Sequence, residues 1–126
     1  MPYKNILLID DDEDDQEIFI TALEKVDLSI SCITLDNARE ALQLLNTGKI
    51  NPELIFLDLN MPVMSGQQFL HEIKKDLELS TIPVVILSTS SHVSTIRQVK
   101  ESGAQDFYSK PDKFEDMINI LKSVLT

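Results

Sequence analysis

The stretch ILLIDDDEDD, from Ile6 to Asp15, places six acidic residues directly after four apolar residues. The apolar part has the length and the branched side chains of a buried β-strand. Acidic side chains at this density are costly beside a buried segment, because two carboxylates about 4 Å apart repel by about 4 kcal/mol at an effective dielectric constant near 20. Either a cation offsets this repulsion, or the acids belong to a solvated loop and the start of a helix.

Further short apolar runs follow along the chain, with starts about 22 to 30 residues apart, which leaves room for a helix between each pair. The intervening segments carry apolar residues at helical spacing. Runs that are continuously apolar, instead of alternating, indicate strands buried on both faces, and therefore a parallel sheet covered by helices on both sides. The five predicted strands are NILLID, ISCITL, ELIFLDL, PVVILS and DFYSK.

Helix starts are also marked in the sequence. Ser65 followed by Gln68 is a capping-box pattern, and Asp112 with Glu115 is an approximate one. We therefore predict that one helix begins just after Ser65 and that the last helix begins just after Asp112.

Size and composition restrict the class of protein. The 126 residues, of which 43% are hydrophobic and 25% charged, predict one globular domain spanning residues 1–126. A net charge of −10 argues against binding to nucleic acid or to anionic membranes. Cys32 is the only cysteine, so no intrachain disulfide forms and a reducing compartment is favoured. With no targeting segment and no apolar run near the length of a membrane span, we expect a cytoplasmic protein.

Chemically reactive side chains gather where the predicted strands end. In a doubly wound sheet the binding site lies outside the carboxyl ends of the strands. Side chains at those ends should therefore converge, although each alone would be read as a surface or cap residue. The residues at these predicted strand ends are Asp10, Asp11, Asp58, Ser88, Thr89 and Lys110.

This set of groups suits a hard divalent ion. Oxygen ligands without His or Cys favour Mg²⁺, which keeps some of its waters and shares a phosphate oxygen. Asp58, facing Lys110 and the Ser88 hydroxyl, is equipped to attack a phosphoryl group and carry it as an acyl phosphate. For Glu13, Asp14 and Asp15, the interpretation as a solvated helix start is favoured over metal binding.

These residues and motifs resemble the receiver domain of response regulators in two-component phosphorelay signalling, over essentially the whole chain. The motifs are the acidic pair at Asp10 and Asp11, LDLNMPVMSG from Leu57 to Gly66, VVILSTS from Val84 to Ser90, and SKP from Ser109 to Pro111. The resemblance is to the stand-alone type similar to the chemotaxis response regulator. It implies a flavodoxin-like (βα)5 three-layer sandwich with a parallel sheet in the order 2-1-3-4-5.

The resemblance also implies roles for individual residues. Asp58 would be the phosphoacceptor, and Asp10, Asp11, Asp58 and the backbone carbonyl of Asn60 would hold Mg²⁺. Ser88 and Thr89 would contact the phosphoryl group with Lys110, and Phe107 would be the switch aromatic. Further implied features are a cis peptide bond between Lys110 and Pro111, and an influence of Asn60 and Ser90 on how fast phosphate is lost.

The function implied by the resemblance is a signalling switch and not an enzyme. A sensor histidine kinase or a histidine phosphotransfer protein would donate the phosphoryl group. The output would go through contact with an unidentified downstream protein, without nucleic acid or membrane binding. The protein would be a monomer or a dimer linked to phosphorylation.

Two other interpretations are open. Asp10-x-Asp12 after a strand resembles the haloacid dehalogenase superfamily of aspartyl phosphatases, with Asp10 as nucleophile and Asp12 as acid/base. That reading lacks an acidic pair on a later strand and leaves DLNMPVMSG unexplained. His71, in HEIK, resembles the phosphoacceptor histidine of sensor kinases, but that histidine belongs on a long helical hairpin, and an exposed surface histidine is the favoured interpretation.

Overall fold

The computed structural model describes residues 3–89 and 92–126, and these form strands and helices that alternate along the chain. The strands are β1 (Asn5–Ile9), β2 (Ser31–Leu35), β3 (Leu54–Leu57), β4 (Val84–Ser88) and β5 (Asp106–Ser109). The helices are α1 (Glu13–Val26), α2 (Ala38–Asn46), α3 (Gly66–Lys74), α4 (Val93–Glu101) and α5 (Phe114–Leu125). A 3₁₀ turn at Leu79–Thr81 precedes β4. Within the described ranges, every helix is too short or too polar to cross a membrane.

The five strands form one parallel sheet in the order β2-β1-β3-β4-β5. This confirms the predicted doubly wound, flavodoxin-like architecture. Ile9, the last residue of β1, lies beside Leu35 of β2 and Leu57 of β3, which are the last residues of those strands. The central strands therefore end at the same level, and the segments that follow them leave the sheet at one edge.

Each face of the sheet has its own hydrophobic core, because successive side chains of a strand point to opposite faces. Leu7 and Ile9 of β1 pack with α2, α3 and α4 on one face. Ile6 and Leu8 pack with α1 and α5 on the other face, where the rings of Phe19 and Phe56 meet edge to face at 4.9 Å. The two cores explain why the strands are continuously apolar in sequence.

The helix starts are partly as predicted. α3 begins with a complete capping box, in which Ser65 accepts from the Gln68 backbone N–H and the Gln68 side chain accepts from the Ser65 N–H. The predicted cap at Asp112 is wrong, since Lys113 is the N-cap of α5 and makes no side-chain cap hydrogen bond. The chain stays extended through Lys113, at φ −106° and ψ 138°, so the helix begins one residue later than the sequence pattern indicated.

Candidate functional site

The backbone of the sheet delivers three charged side chains to one edge. Asp10, Asp58 and Lys110 each follow the last residue of a strand, and each still donates its backbone N–H to a neighbouring strand. The acceptors are the Leu35 carbonyl for Asp10 (3.0 Å), the Ile9 carbonyl for Asp58 (3.0 Å) and the Ser88 carbonyl for Lys110 (2.9 Å). These hydrogen bonds attach the backbone of the site to the central sheet.

Three carboxylates converge at this edge. One carboxylate oxygen from each of Asp10, Asp11 and Asp58 lies within 4.8 Å of the other two. Asp10 and Asp58 are buried, with exposed fractions of 3% and 5%, whereas Asp11 is exposed. Two of the three carboxylates are therefore enclosed by the protein, and the third is accessible to solvent.

Lys110 is the counter-charge for this cluster. Its Nζ lies 2.9 Å from Oδ2 of Asp10 and 3.4 Å from Oδ2 of Asp58. A third carboxylate, Asp15 in the first turn of α1, lies closer still, with its Oδ2 at 2.7 Å. Asp15 was expected to be a solvated helix-start residue, so its contact with Lys110 is a site feature that the sequence interpretation missed.

Burial raises the pKa of both Asp10 and Asp58 above its usual value. The Lys110 ammonium opposes this rise at both carboxyl groups, and it does not cancel it. At Lys110, burial acts to lower the pKa, but hydrogen bonds to Asp15 and Asp10 and the charges of Asp10 and Asp58 outweigh it and raise the pKa. The charged form of the lysine is therefore favoured, while burial still disfavours the ionised form of both carboxyl groups.

The donor set fits a hard divalent metal ion. In the described part of the chain, Lys110 is the one cation that forms ion pairs with these carboxylates, so a single ammonium faces Asp10, Asp11, Asp15 and Asp58. The three clustered ligands offer oxygen atoms only, and one of them is open to water, which is the arrangement that Mg²⁺ or Mn²⁺ prefers.

The polar residues after β3 and β4 lie beside one another. The Asn60 backbone N–H donates to Asp58 Oδ1 at 3.4 Å, and the Asn60 side-chain amide donates to the Thr89 hydroxyl, also at 3.4 Å. Ser88 is fully buried at the end of β4, whereas Thr89 is exposed. Ser90, for which an influence on phosphate loss was expected, lies outside the described residues.

Phe107 lies on β5 opposite Ile86 of β4 and is half-buried. It packs against the core that faces α2, α3 and α4. The ring of Phe107 therefore contributes to packing in this core.

The predicted cis peptide bond before Pro111 is not found in the structure. The residues described contain no cis peptide bond, so Lys110 and Pro111 are joined in trans. An X–Pro bond favours trans by about 0.5–1 kcal/mol. The trans chain already brings the Lys110 ammonium to Asp10 and Asp58, so these ion pairs do not require the cis form.

The loop between β3 and α3 is tightly built. Val63 is 82% exposed and has φ at +68°, a left-handed conformation that is costly for a β-branched residue. Gly66 lies against the phosphoacceptor candidate: a Cβ on it would collide with the Asp58 carbonyl oxygen and approach the Leu59 Cα to 2.7 Å. A side chain at position 66 would therefore push α3 away from the strand that carries Asp58.

The residues of the alternative interpretations have other surroundings. The Asp12 carboxylate accepts hydrogen bonds from the Asp14 and Asp15 backbone N–H groups and caps α1, which is a structural task. His71 lies on the exposed side of a nine-residue helix, not on a long helical hairpin.

Comparisons with known proteins agree on one family. The model of the response regulator receiver domain family matches residues 6–122. The two-component response regulator ORR3 of Oryza sativa subsp. indica is 31% identical over 124 residues, which cover 98% of this chain and 92% of the relative.

Solved structures agree as well. The phosphorylated cyanobacterial phytochrome response regulator RcpA has a TM-score of 0.88 and 30% identity, covering 97% of this chain and 91% of that chain. The Mn²⁺-bound form of response regulator Rcp1 has a TM-score of 0.85 and 28% identity, covering 96% and 91%. With five parallel strands in the order 2-1-3-4-5 and the acidic cluster at their carboxyl ends, the chain belongs to the response regulator receiver domain family.

Proposed function

We propose that residues 1–126 form one receiver domain that accepts a phosphoryl group on Asp58 from a phosphohistidine and signals through protein contacts. The observation that carries the proposal is the convergence of Asp10, Asp11 and Asp58 on a buried lysine at the end of the sheet. Such a site supports phosphoryl transfer to the domain itself, and we propose that the domain acts in signalling in the cytoplasm. It does not call for turnover of a separate substrate.

In the proposed step, an oxygen of the Asp58 carboxylate attacks phosphorus. A new O–P bond forms while the P–N bond of the phosphohistidine breaks, and the leaving imidazole nitrogen keeps the electron pair. Charge is spread over the phosphoryl oxygens during the transfer, and the Lys110 ammonium lies where it can offset that charge. The donor is a sensor histidine kinase or a histidine phosphotransfer protein, as the family implies.

A Mg²⁺ ion would be held by Asp10, Asp11, Asp58 and the backbone carbonyl of Asn60, and it would supply charge neutralisation and orientation for the phosphoryl group. Two findings support this assignment: the oxygen-only cluster and the Mn²⁺-bound form of the similar protein Rcp1. Burial of Asp10 and Asp58 fixes two of the ligands before a metal arrives.

We propose that the readout begins at the end of β4. Ser88 and Thr89 would turn toward the phosphoryl group, and Phe107 would fill the space that their movement opens, which changes the surface formed by α4, β5 and α5. The Lys110 backbone N–H is bonded to the Ser88 carbonyl, so the lysine and the switch residues share one strand pair. The changed surface would bind a downstream protein, or a second copy of the chain.

Intact mass spectrometry tests the proposal. The protein is incubated with Mg²⁺ and acetyl phosphate, and wild type is compared with Asp58→Asn and Asp10→Asn. We expect one added phosphoryl group in wild type, dependent on Mg²⁺ and absent in Asp58→Asn. An adduct that persists in Asp58→Asn and is lost in Asp10→Asn would identify Asp10, directly after β1, as the nucleophile and establish the phosphatase interpretation instead.

A further inference from the structure

Asp15 is the carboxylate closest to the Lys110 ammonium, yet it is not one of the three clustered oxygen ligands. Its distance of 2.7 Å to Nζ is shorter than the 2.9 Å of Asp10 and the 3.4 Å of Asp58. Its side chain is 37% exposed, while the lysine side chain is only 13% exposed. The nearest partner of the buried ammonium is therefore an acid from a helix that carries none of the metal ligands.

Lysine has only three N–H donors, and three carboxylates already surround them. Phosphorylation replaces the single negative charge of the Asp58 carboxylate with a phosphoryl group that has several anionic oxygens, and these oxygens compete with Asp10 and Asp15 for the N–H groups of Lys110. Asp10 and Asp58 are held at strand ends by backbone hydrogen bonds. Asp15 is the partner whose release leaves the metal ligands in place.

The sequence around Asp15 fixes it in this position. Asp12 caps α1 by accepting from the backbone N–H groups of Asp14 and Asp15, which orders the first turn of the helix. That turn orients Asp15 toward Lys110 and leaves Asp14 exposed, without an ion pair within the part of the chain that the structure describes.

We propose that Asp15 is a positioning residue that competes with the phosphoryl group for Lys110 and thereby slows phosphorylation of Asp58. The inference rests on the proposed function. Asp15 holds the ammonium in the unphosphorylated domain, and the phosphoryl group must draw the ammonium away from it. Removing the charge of Asp15 keeps Lys110 in the site through Asp10 and Asp58, but makes its N–H groups easier to recruit.

The test compares phosphorylation rate constants with acetyl phosphate and Mg²⁺ for wild type, Asp15→Asn and Asp14→Asn. The two variants lose the same charge in the same helical turn, so general repulsion of the anionic donor and helix-end effects are matched. We expect Asp15→Asn to react about two- to fivefold faster than Asp14→Asn, as the energies of partly exposed ion pairs imply. Asp15→Glu, which keeps the charge, should return the rate toward that of wild type.

A structural role alone would not raise the rate, and melting temperatures of all variants identify any loss of folding. Equal rates for Asp15→Asn and Asp14→Asn, or a slower Asp15→Asn, would overturn the role of Asp15 while leaving Asp58 as phosphoacceptor. Absence of any adduct on Asp58 in wild type would overturn the proposed function, and this role with it. The two failures are therefore distinguishable.

Discussion

At the scale of single residues, Asp58 combines two properties that usually oppose each other: it is buried, and the proposed phosphoryl transfer requires its carboxylate to carry negative charge. The Lys110 ammonium lies 3.4 Å away and lowers the cost of that charge, but burial outweighs it, and the pKa of Asp58 stays raised. The ionised carboxylate is therefore under electrostatic strain that an incoming cation relieves.

This strain predicts a pH dependence of stability in the metal-free protein. Since the folded-state pKa of Asp58 lies above its ordinary value of 3.8, the folded state binds the proton more tightly than the unfolded chain. Ionised Asp58 therefore lowers the stability of the folded state. This loss of stability is fully present when the pH is above the folded-state pKa, and it disappears as the pH falls through that pKa toward 3.8. In the presence of a metal chelator, Asp58→Asn should therefore raise the free energy of unfolding, relative to wild type, more at pH 7 than at pH 4.5.

Urea unfolding of wild type and Asp58→Asn at the two pH values measures this difference. Asp36→Asn, at an exposed position, controls for the loss of one charge. A gain for Asp58→Asn that grows as pH falls would contradict the assigned direction of the pKa shift.

Gly66 supports the site through its missing side chain. Gly66→Ala should lower the free energy of unfolding by about 1–3 kcal/mol, because the new methyl group collides with backbone atoms of Asp58 and Leu59. It should also slow phosphorylation, because the collision displaces the strand end that carries Asp58.

Gly48→Ala is the matched control for this variant. Gly48 has φ at +72° but has open space around it, so alanine there costs about 1 kcal/mol through backbone strain alone. Phosphorylation by acetyl phosphate should be unchanged in Gly48→Ala. A Gly66→Ala protein that reacts at the wild-type rate would show that α3 does not hold the Asp58 backbone in place.

The placement of Asp10, Asp58 and Lys110 could be predicted from the sequence because each follows an apolar run, and parallel strands end at a common edge. Asp15 could not be recognised in this way. Acids in the first turn of a helix are normally solvated. Its partner lies 95 residues away, and the two meet only because the start of α1 and the end of β5 come together in the folded chain.

At the scale of secondary structure elements, apolar patterning located all five strands, whereas local cap patterns were less dependable. The Ser65 capping box is formed as predicted. Asp112 has a suitable side chain, yet the helix begins after Lys113, because the backbone path after Pro111 stays extended for one more residue. The isomer of the Lys110–Pro111 bond was likewise beyond sequence reasoning, since the two forms differ by only about 0.5–1 kcal/mol.

The unused cap of α5 predicts a stabilising substitution. Lys113 occupies the N-cap with an extended backbone, and its side chain accepts nothing from the helix. Lys113→Ser supplies an acceptor for the N–H groups of the first turn and should raise the free energy of unfolding by about 0.5–1 kcal/mol. Chemical denaturation measures the gain, and Lys113→Ala, which removes the charge without adding an acceptor, should not produce it.

At the scale of the whole molecule, metal binding and folding should be coupled. A metal ion that binds only the folded chain stabilises it by about 2.7 kcal/mol at 100 times its dissociation constant. For a domain of this size, that corresponds to a rise in melting temperature of roughly 10 °C. We expect such a rise on addition of Mg²⁺ in thermal unfolding of the wild type.

Asp10→Asn removes one of the clustered oxygen ligands with little change in volume, so its melting temperature should respond less to Mg²⁺. An equal response in both proteins would show that the ion stabilises the domain from another place.

The three strand ends that form the site lie far apart along the chain, so the residues of the site are synthesised at different times. A growing chain that has reached Tyr108 already contains every carboxylate of the cluster and has not yet received the residue that neutralises them, because Lys110 follows β5. At typical translation speeds of about 5–20 residues per second, this condition lasts for roughly 3–10 seconds after Asp58 has been added. The proposed phosphoryl transfer therefore becomes possible only after the fifth strand of the domain and the lysine that follows it have been synthesised.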